Sequence, residues 1–396
     1  MTRRRVLGLV VILAAAVSGG VGVTRHLSAT APQKVAAEPA LEPVITPTTP
    51  ICSSPSRLMQ WPAANPVWEF CFISPYYSSG ANGAGLEIHD VYYNGHLVFK
   101  RAHAPILNVL YAPGGCGCYR DWSDQERAFQ ANNILIAPGV GGNGYAEPTV
   151  PPVTACDNSG YDTSGFTGVA AEKLADRLIL TTQLQAGWYR YMMKWMFYLD
   201  GRIRPLMGFG AVRTSSCLNY NHTHHNYWRF DFDIDGAAND RVYEQRQGRL
   251  GPEVEGDPQG IEMLQEALRQ TNNPGLAWIV RDSVTGRGYR VSPGPHDEVP
   301  ADSFAVGDVW LLRYNAAQID DAGQPGPACA IKFNNYLNGE KLRDQDVVLW
   351  YRGGAFHAGY DLDDCHQVGP ILEPVGNWAP TPAAAARATP AKKDRE

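Results

Sequence analysis

The sequence predicts a mostly β protein, on three observations. It holds 40 Gly and 29 Pro together with 12 Phe, 10 Trp and 19 Tyr, a composition of strands and turns rather than of a helical bundle. Across residues 51–376, short runs of alternating apolar and polar residues are broken by Gly, Asn and Asp. Asn94-Gly95 and Asp200-Gly201 each sit between two such runs, where a tight hairpin turn is expected. The chain has 396 residues, 44% hydrophobic and 19% charged, enough for a sizeable core and too apolar for intrinsic disorder. Its 34 basic and 40 acidic side chains, net −6, argue against nucleic acid as a partner. No solenoid repeat stands out.

Arg3, Arg4 and Arg5 precede an apolar run from Val6 to Val17, the pattern of an export signal, with Ala31 as a cleavage point. Thr2-Arg3-Arg4 before Val6-Leu7 also resembles a twin-arginine signal. If the run extends to Val23 it is long enough to stay as an anchor. Residues 1–31 are therefore expected to be removed or to tether the chain, and either outcome makes the working domain extracytoplasmic. Removal leaves 30 basic against 40 acidic side chains, net −10. Residues 32–50, ending in PVITPTTP, read as a linker. Residues 51–376 read as one domain and 377–396 as a disordered tail.

Within the domain, residues 86–91 alternate before Asn94-Gly95 turns the chain into Leu97-Val98-Phe99. Residues 195–198 and 202–206 flank Asp200-Gly201 in the same way. Two segments carry helical patterning: residues 169–180, with Ala, Leu and paired charges, and Ile261, Leu264, Ala267 and Leu268 at helical spacing. All eight cysteines (52, 71, 116, 118, 156, 217, 329 and 365) follow the signal, an even set suited to disulfides in an oxidising compartment. Their connectivity is left open. Cys116-Gly117-Cys118 lacks the spacing of a zinc knuckle.

The stretch from Asn221 to Gly236 carries the most chemistry. On a strand, His222 and His224 project from one face while Thr223 points away, so two imidazoles can share an ion. His357, delivered by a β-branched run and two glycines, is the best third ligand. Three imidazoles suit Cu(II) or Zn(II) and do not choose between them. Asp231, Asp233, Asp235 and Gly236 mimic the start of an EF-hand, but the closing Glu position is Val242. Carboxylates on one strand face still suit a hard cation.

These residues resemble the catalytic domain of the copper- and topaquinone-dependent amine oxidases. The family pattern of His-x-His, Arg, Asp-x-Asp and Asp-Gly-x-x-Asn falls on His222, His224, Arg229, Asp231, Asp233, Asp235, Gly236 and Asn239. Residues 333–357 resemble its segment with the third copper histidine, and residues 85–102 its opening strands. The resemblance covers about residues 85–374 and implies a large β-sandwich, dimeric in most of the family, here without the extra amino-terminal domains. It implies copper at His222, His224 and His357, with Tyr189 as the precursor of topaquinone. Tyr191, Trp195, Phe197 and Gly201 keep register with Tyr189, whereas Trp188 stands where the family has Asn and Arg190 where it has an acid. Tyr111 matches the tyrosine that contacts the quinone. Asp124 falls on the catalytic base, with Asp121 as the fallback. A second cation, calcium by the family pattern, is implied at Asp231, Asp233, Asp346 and the carbonyls of Phe232 and Val347.

The implied reaction takes a primary amine and O2 to aldehyde, ammonia and hydrogen peroxide, with Asp124 removing the α-proton. A nearby Cu(II) would favour the tyrosinate form of Tyr189, a phenol whose ordinary pKa is about 10. Trp188 and Arg190 favour the alternative of a catalytically degenerate copper-binding protein of the same fold, and Arg190 beside the site would repel a protonated amine. A zinc hydrolase built on three histidines is a further class, for which no Glu base adjoins the histidines.

Overall fold

The structure, a computed structural model, describes residues 49–80, 84–120, 145–148, 151, 152, 154, 156, 168–211, 215–246, 260–270, 275–295, 297, 302–359 and 365–388. In chain order the strands are β1 (Arg57–Trp61), β2 (Trp68–Ile73), β3 (Glu87–Tyr93), β4 (His96–Tyr111), β5 (Tyr119–Arg120), β6 (Tyr145–Ala146) and β7 (Val169–Lys173). There follow β8 (Arg177–Ala186), β9 (Tyr189–Tyr198), β10 (Ile203–Ala211), β11 (His222–Phe232), β12 (Asp240–Arg246), β13 (Ile261–Met263) and β14 (Ala267–Arg269). The last are β15 (Leu276–Asp282), β16 (Gly288–Ser292), β17 (Val309–Arg313), β18 (Val347–His357), β19 (His366–Val368) and β20 (Ile371–Val375), before a short helix α1 (Pro382–Ala388).

These strands build two sheets of a β-sandwich. The first runs β1-β2-β3-β4-β11-β18-β17-β14, with β5 added to β4. The second runs β13-β12-β15-β16-β20-β10-β9-β8-β7-β6, with β19 added to β10. Their inner faces meet in an aromatic core: Phe70 stacks on Phe197 at 4.5 Å, and Trp195 meets Trp228 edge-on at 5.3 Å. Both expected hairpins form. Asn94 (φ 52°) and Gly95 (φ 82°) join β3 to β4 with the paired positive φ angles that match the twist of the strands. Gly201 (φ 87°) turns β9 into β10 close against the Tyr93 ring, where a Cβ would lie 2.6 Å from a ring carbon.

Three expectations are corrected. Residues 169–180 are not a helix but the β7–β8 hairpin, with Ala170 opposite Thr181 and Lys173 opposite Leu178. The apparent helical period there comes from two short buried runs separated by a turn, and pairing with β9 overrides local propensity. Residues 261–268 are likewise two strands: β13 pairs with β12 in the second sheet and β14 with β17 in the first. Ile261 and Leu264 are exposed, so their spacing marks no core stripe. The packed unit also continues past 376. Trp378 is buried against Tyr93 and Tyr289, and Asn94 donates from Nδ2 to its carbonyl at 2.8 Å.

All eight cysteines pair, as Cys52–Cys71, Cys116–Cys217, Cys118–Cys329 and Cys156–Cys365. The Cys116-Gly117-Cys118 segment is thus split between two bridges, which tie the approach to β5 to the turn before β11 and to Cys329. No helix among the described residues is long and apolar enough to cross a membrane.

Candidate metal centre

Antiparallel register assembles the site. His222, the first residue of β11, lies directly between Tyr111 at the end of β4 and His357 at the end of β18. Cross-strand neighbours share a face, so these three side chains and His224, two residues further on, project together toward the second sheet. There β9 begins with Tyr189, whose Oη lies 2.6 Å from His222 Nε2 and 2.8 Å from His357 Nδ1. The Tyr189 ring meets His224 edge-on at 4.5 Å. One nitrogen from each of His222, His224 and His357 lies within 4.8 Å of the others.

The hydrogen bonding leaves lone pairs over. His222 Nδ1 donates to the Tyr220 carbonyl at 2.8 Å, so its Nε2 is bare and accepts the Tyr189 proton. A single phenol proton serves one nitrogen only, so His357 Nδ1 donates to Tyr189 Oη. His357 Nε2 and both ring nitrogens of His224 then have no hydrogen-bond partner, although both residues are buried. Orphaned buried nitrogens cost on the order of 1–3 kcal/mol each. Burial holds all three imidazoles neutral: it lowers His222, pushes His224 well below its ordinary value, and with His222 and His366 nearby takes His357 down to about 2. Three neutral imidazoles, each with a nitrogen within 4.8 Å of the others and two of them meeting at the Tyr189 oxygen, form a donor set that fits a Cu(II) or Zn(II) ion.

No protein-family model matches the chain. N-methylputrescine oxidase 1, peroxisomal, of Nicotiana tabacum is 22% identical over 269 residues, covering 55% of this chain and 34% of that protein. Primary amine oxidase 2 of Arabidopsis thaliana is 24% identical over 168 residues, covering 37% of this chain and 24% of that protein. Among solved structures, a copper-containing benzylamine oxidase from Hansenula polymorpha superposes with a TM-score of 0.56 at 15% identity, covering 81% of this chain and 60% of its own. Aspergillus nidulans amine oxidase gives 0.52 at 15% identity, covering 91% and 57%. By sequence and fold, the chain is a relative of the copper-containing amine oxidases. It spans about a third or less of the length of the relatives it matches in sequence.

In this amine oxidase relative the centre is walled by aromatics. Tyr111 stacks on His222 at 4.6 Å, Phe209 on His224 at 4.7 Å, and His366 packs against His357 at 4.5 Å. Trp188 Nε1 donates to Tyr111 Oη at 3.0 Å. With Tyr119, these two rings line the cleft that reaches Tyr189. Arg190 does not stand beside the metal centre as expected. It follows Tyr189 on a strand, so it points from the opposite face of the sheet to Tyr189 and Tyr191, and its charge is directed away from the histidines. Asp121 and Asp124 lie outside the described residues.

The acids form a second cluster at the other end of β11. One oxygen each of Asp231, Asp233 and Asp346 lies within 4.8 Å of the others. Burial raises all three, and at Asp233 and Asp346 repulsion from the neighbouring carboxylates adds to it, taking Asp233 to about 7 and Asp346 to about 8. Arg229 Nη1 reaches Asp231 at 3.3 Å and compensates only partly. Phe232 and Val347 face each other directly across β11 and β18 beside these acids. Phe209 and His366 were not legible as neighbours of the metal centre, because only the pairing of β10 with β19 brings them there.

Proposed function

We propose that this chain oxidises a primary amine with O2, giving aldehyde, ammonia and hydrogen peroxide, at a copper held by His222, His224 and His357 and a topaquinone made from Tyr189. The observation that carries this reading is the Tyr189 hydroxyl, seated at 2.6 and 2.8 Å from two of three buried, neutral histidines. When bound, the copper and the quinone would supply the two-electron oxidation of the amine and the return of those electrons to O2. The chain's own residues do the rest. The Tyr220 carbonyl and the Tyr111 ring fix the orientation of His222. Phe209 stacks on the His224 ring, and Tyr189 is itself buried in the core. Asp124 is proposed to take the proton from the amine's α-carbon.

Asp231, Asp233 and Asp346, with the carbonyls of Phe232 and Val347, are proposed to hold a hard cation, calcium by its preference for oxygen ligands. The four disulfides support an extracytoplasmic site of action following a signal in residues 1–31, with residues 32–50 as a linker. A second copy of the chain is a proposed partner.

One observation favours a degenerate copper-binding protein instead. Trp188 occupies the Tyr111 hydroxyl, the group expected to contact the quinone. Peroxide release separates the two readings. Copper-loaded protein given a panel of primary amines in air should produce hydrogen peroxide, and Tyr189→Phe should produce none. Equal peroxide from both would end the oxidase reading.

A further inference from the structure

We infer that Tyr111, Tyr119 and Trp188 form an aromatic box in the cleft that reaches Tyr189, and that the box binds the cation of an alkylammonium ion. Its meaning as the way in for the amine rests on the oxidase reading, whereas the binding itself needs neither copper nor quinone. Both sheets contribute to the box. Tyr111 ends β4, and Tyr119 on β5 stands opposite Val109, so both side chains rise from the same face of the first sheet. Trp188 comes from the second sheet. With Gly187 (φ 58°) it makes the two-residue turn from β8 into β9, which sets it one residue before Tyr189.

The three rings stand close to perpendicular, like the walls at the corner of a box. Tyr119 meets Trp188 at 83° with centroids 5.6 Å apart, Tyr111 meets Tyr119 at 90° and 6.0 Å, and Tyr111 meets Trp188 at 67° and 6.4 Å. No two of them stack face to face, and all three line the cleft. What they offer a guest is narrow. The single indole N–H of Trp188 is committed to the Tyr111 hydroxyl, so Trp188 presents only its ring. None of the described residues lining the cleft carries a charge, and five of them are tyrosine or tryptophan. Aromatic faces carry a negative potential that attracts an ammonium group, and tryptophan is the strongest of them. An anion is repelled by the same faces, and the acidic chain, net −6, favours cations at longer range.

Two disulfides brace the box. Cys116 and Cys217 pack in one cluster with Tyr111, Tyr119 and Trp188, and the Cys118–Cys329 bridge fastens the residue before Tyr119. Walls held in place before the guest arrives lower the ordering cost of binding. The box also adjoins the metal centre, because the Tyr111 ring that forms one wall stacks on His222 at 4.6 Å. Trp188 thereby gains a use beyond contacting the Tyr111 hydroxyl: it supplies the strongest cation-binding face on the path to Tyr189.

The test is ligand-observed NMR on the full chain prepared without copper, so that binding is read apart from turnover. The chain is titrated with ethylammonium and, separately, with ethanol, which is uncharged and has the same number of heavy atoms. Ethylammonium is expected to bind with its methyl signal shifted upfield, as over a ring face, and ethanol to bind about fivefold or more weakly. Trp188→Phe keeps a ring and should weaken ethylammonium by no more than about threefold, whereas Trp188→Leu, equally apolar, should weaken it by about fivefold or more. Tyr119→Leu is expected to follow Trp188→Leu, and thermal unfolding shows that each variant folds. Equal binding of ethylammonium and ethanol, or both leucine variants binding ethylammonium within about twofold of wild type, would overturn the inference and leave a plain apolar cleft. No binding of ethylammonium by wild type would overturn it as well. Peroxide plays no part in this readout, so a chain that binds ethylammonium yet releases no peroxide when copper-loaded would end the oxidase reading and leave the cation box standing.

Discussion

His357 is held neutral by burial among other histidines, with its pKa taken down to about 2. In the unfolded chain the same side chain titrates near 6.5, so below that pH the unfolded state binds a proton that the folded state refuses. The sign is therefore fixed: copper-free protein loses stability as pH falls from about 6.5 toward 2. The loss is about 1.4 kcal/mol per pH unit from this histidine alone, or roughly 2.7 kcal/mol between pH 7.5 and 4.5. His222 and His224 shift in the same direction, whereas the raised carboxylates act oppositely, so the whole-protein curve is a mixture. Comparison with His357→Gln isolates the one residue, because the cavity and hydrogen-bond effects of the substitution cancel in a difference between two pH values. Urea unfolding of both copper-free proteins at pH 7.5, 5.5 and 4.5 should show wild type losing about 2–3 kcal/mol more than the variant. Parallel losses would refute the claim that His357 is buried as a neutral imidazole.

Further outcomes follow from the same geometry. Asp233, raised to about 7, takes up a proton on folding, so cation-free protein should lose stability as pH rises from about 4 to 7, by on the order of 1 kcal/mol per unit. Asp233→Asn should flatten that limb in urea titrations made in chelator, and an unchanged slope would count against it. Trp188→Phe keeps the ring and removes the 3.0 Å bond to Tyr111, for an expected loss of about 1 kcal/mol by urea unfolding. Trp188→Asn removes the indole donor from the Tyr111 hydroxyl and should speed any copper-dependent rise in visible absorbance several-fold, where a slower rise would contradict the role given to Trp188. Gly95→Ala adds a Cβ 2.4 Å from Thr381 Oγ1 at a φ of 82°, and should lower stability by about 1–3 kcal/mol.

The sandwich was legible where the sequence states its own turns. Asn94, Gly95 and Gly201 adopt the positive φ angles that their residue types permit, and the runs beside them pair accordingly. It was illegible where apolar residues fall at helical spacing by accident, as in 169–180, because only long-range pairing shows that these residues form strands. The same division holds at the metal centre. The period of a strand is enough to place His222 and His224 on one face. That His357 lies opposite His222, and Tyr189 beneath both, depends on contacts across 135 and 33 residues of chain that no local pattern encodes. Arg190 shows the cost of reading adjacency in sequence as adjacency in space, since one step along a strand reverses the face.

The most direct test of the central claim is optical. Copper-free protein is given one equivalent of Cu(II) in air, its visible spectrum is followed, and phenylhydrazine is then added to derivatise any quinone carbonyl. The account predicts a visible band that grows with time, an intensely coloured adduct, and neither in Tyr189→Phe. Stoichiometric copper at His222, His224 and His357 with no band and no adduct would contradict it, leaving a protein that binds the metal without making the cofactor.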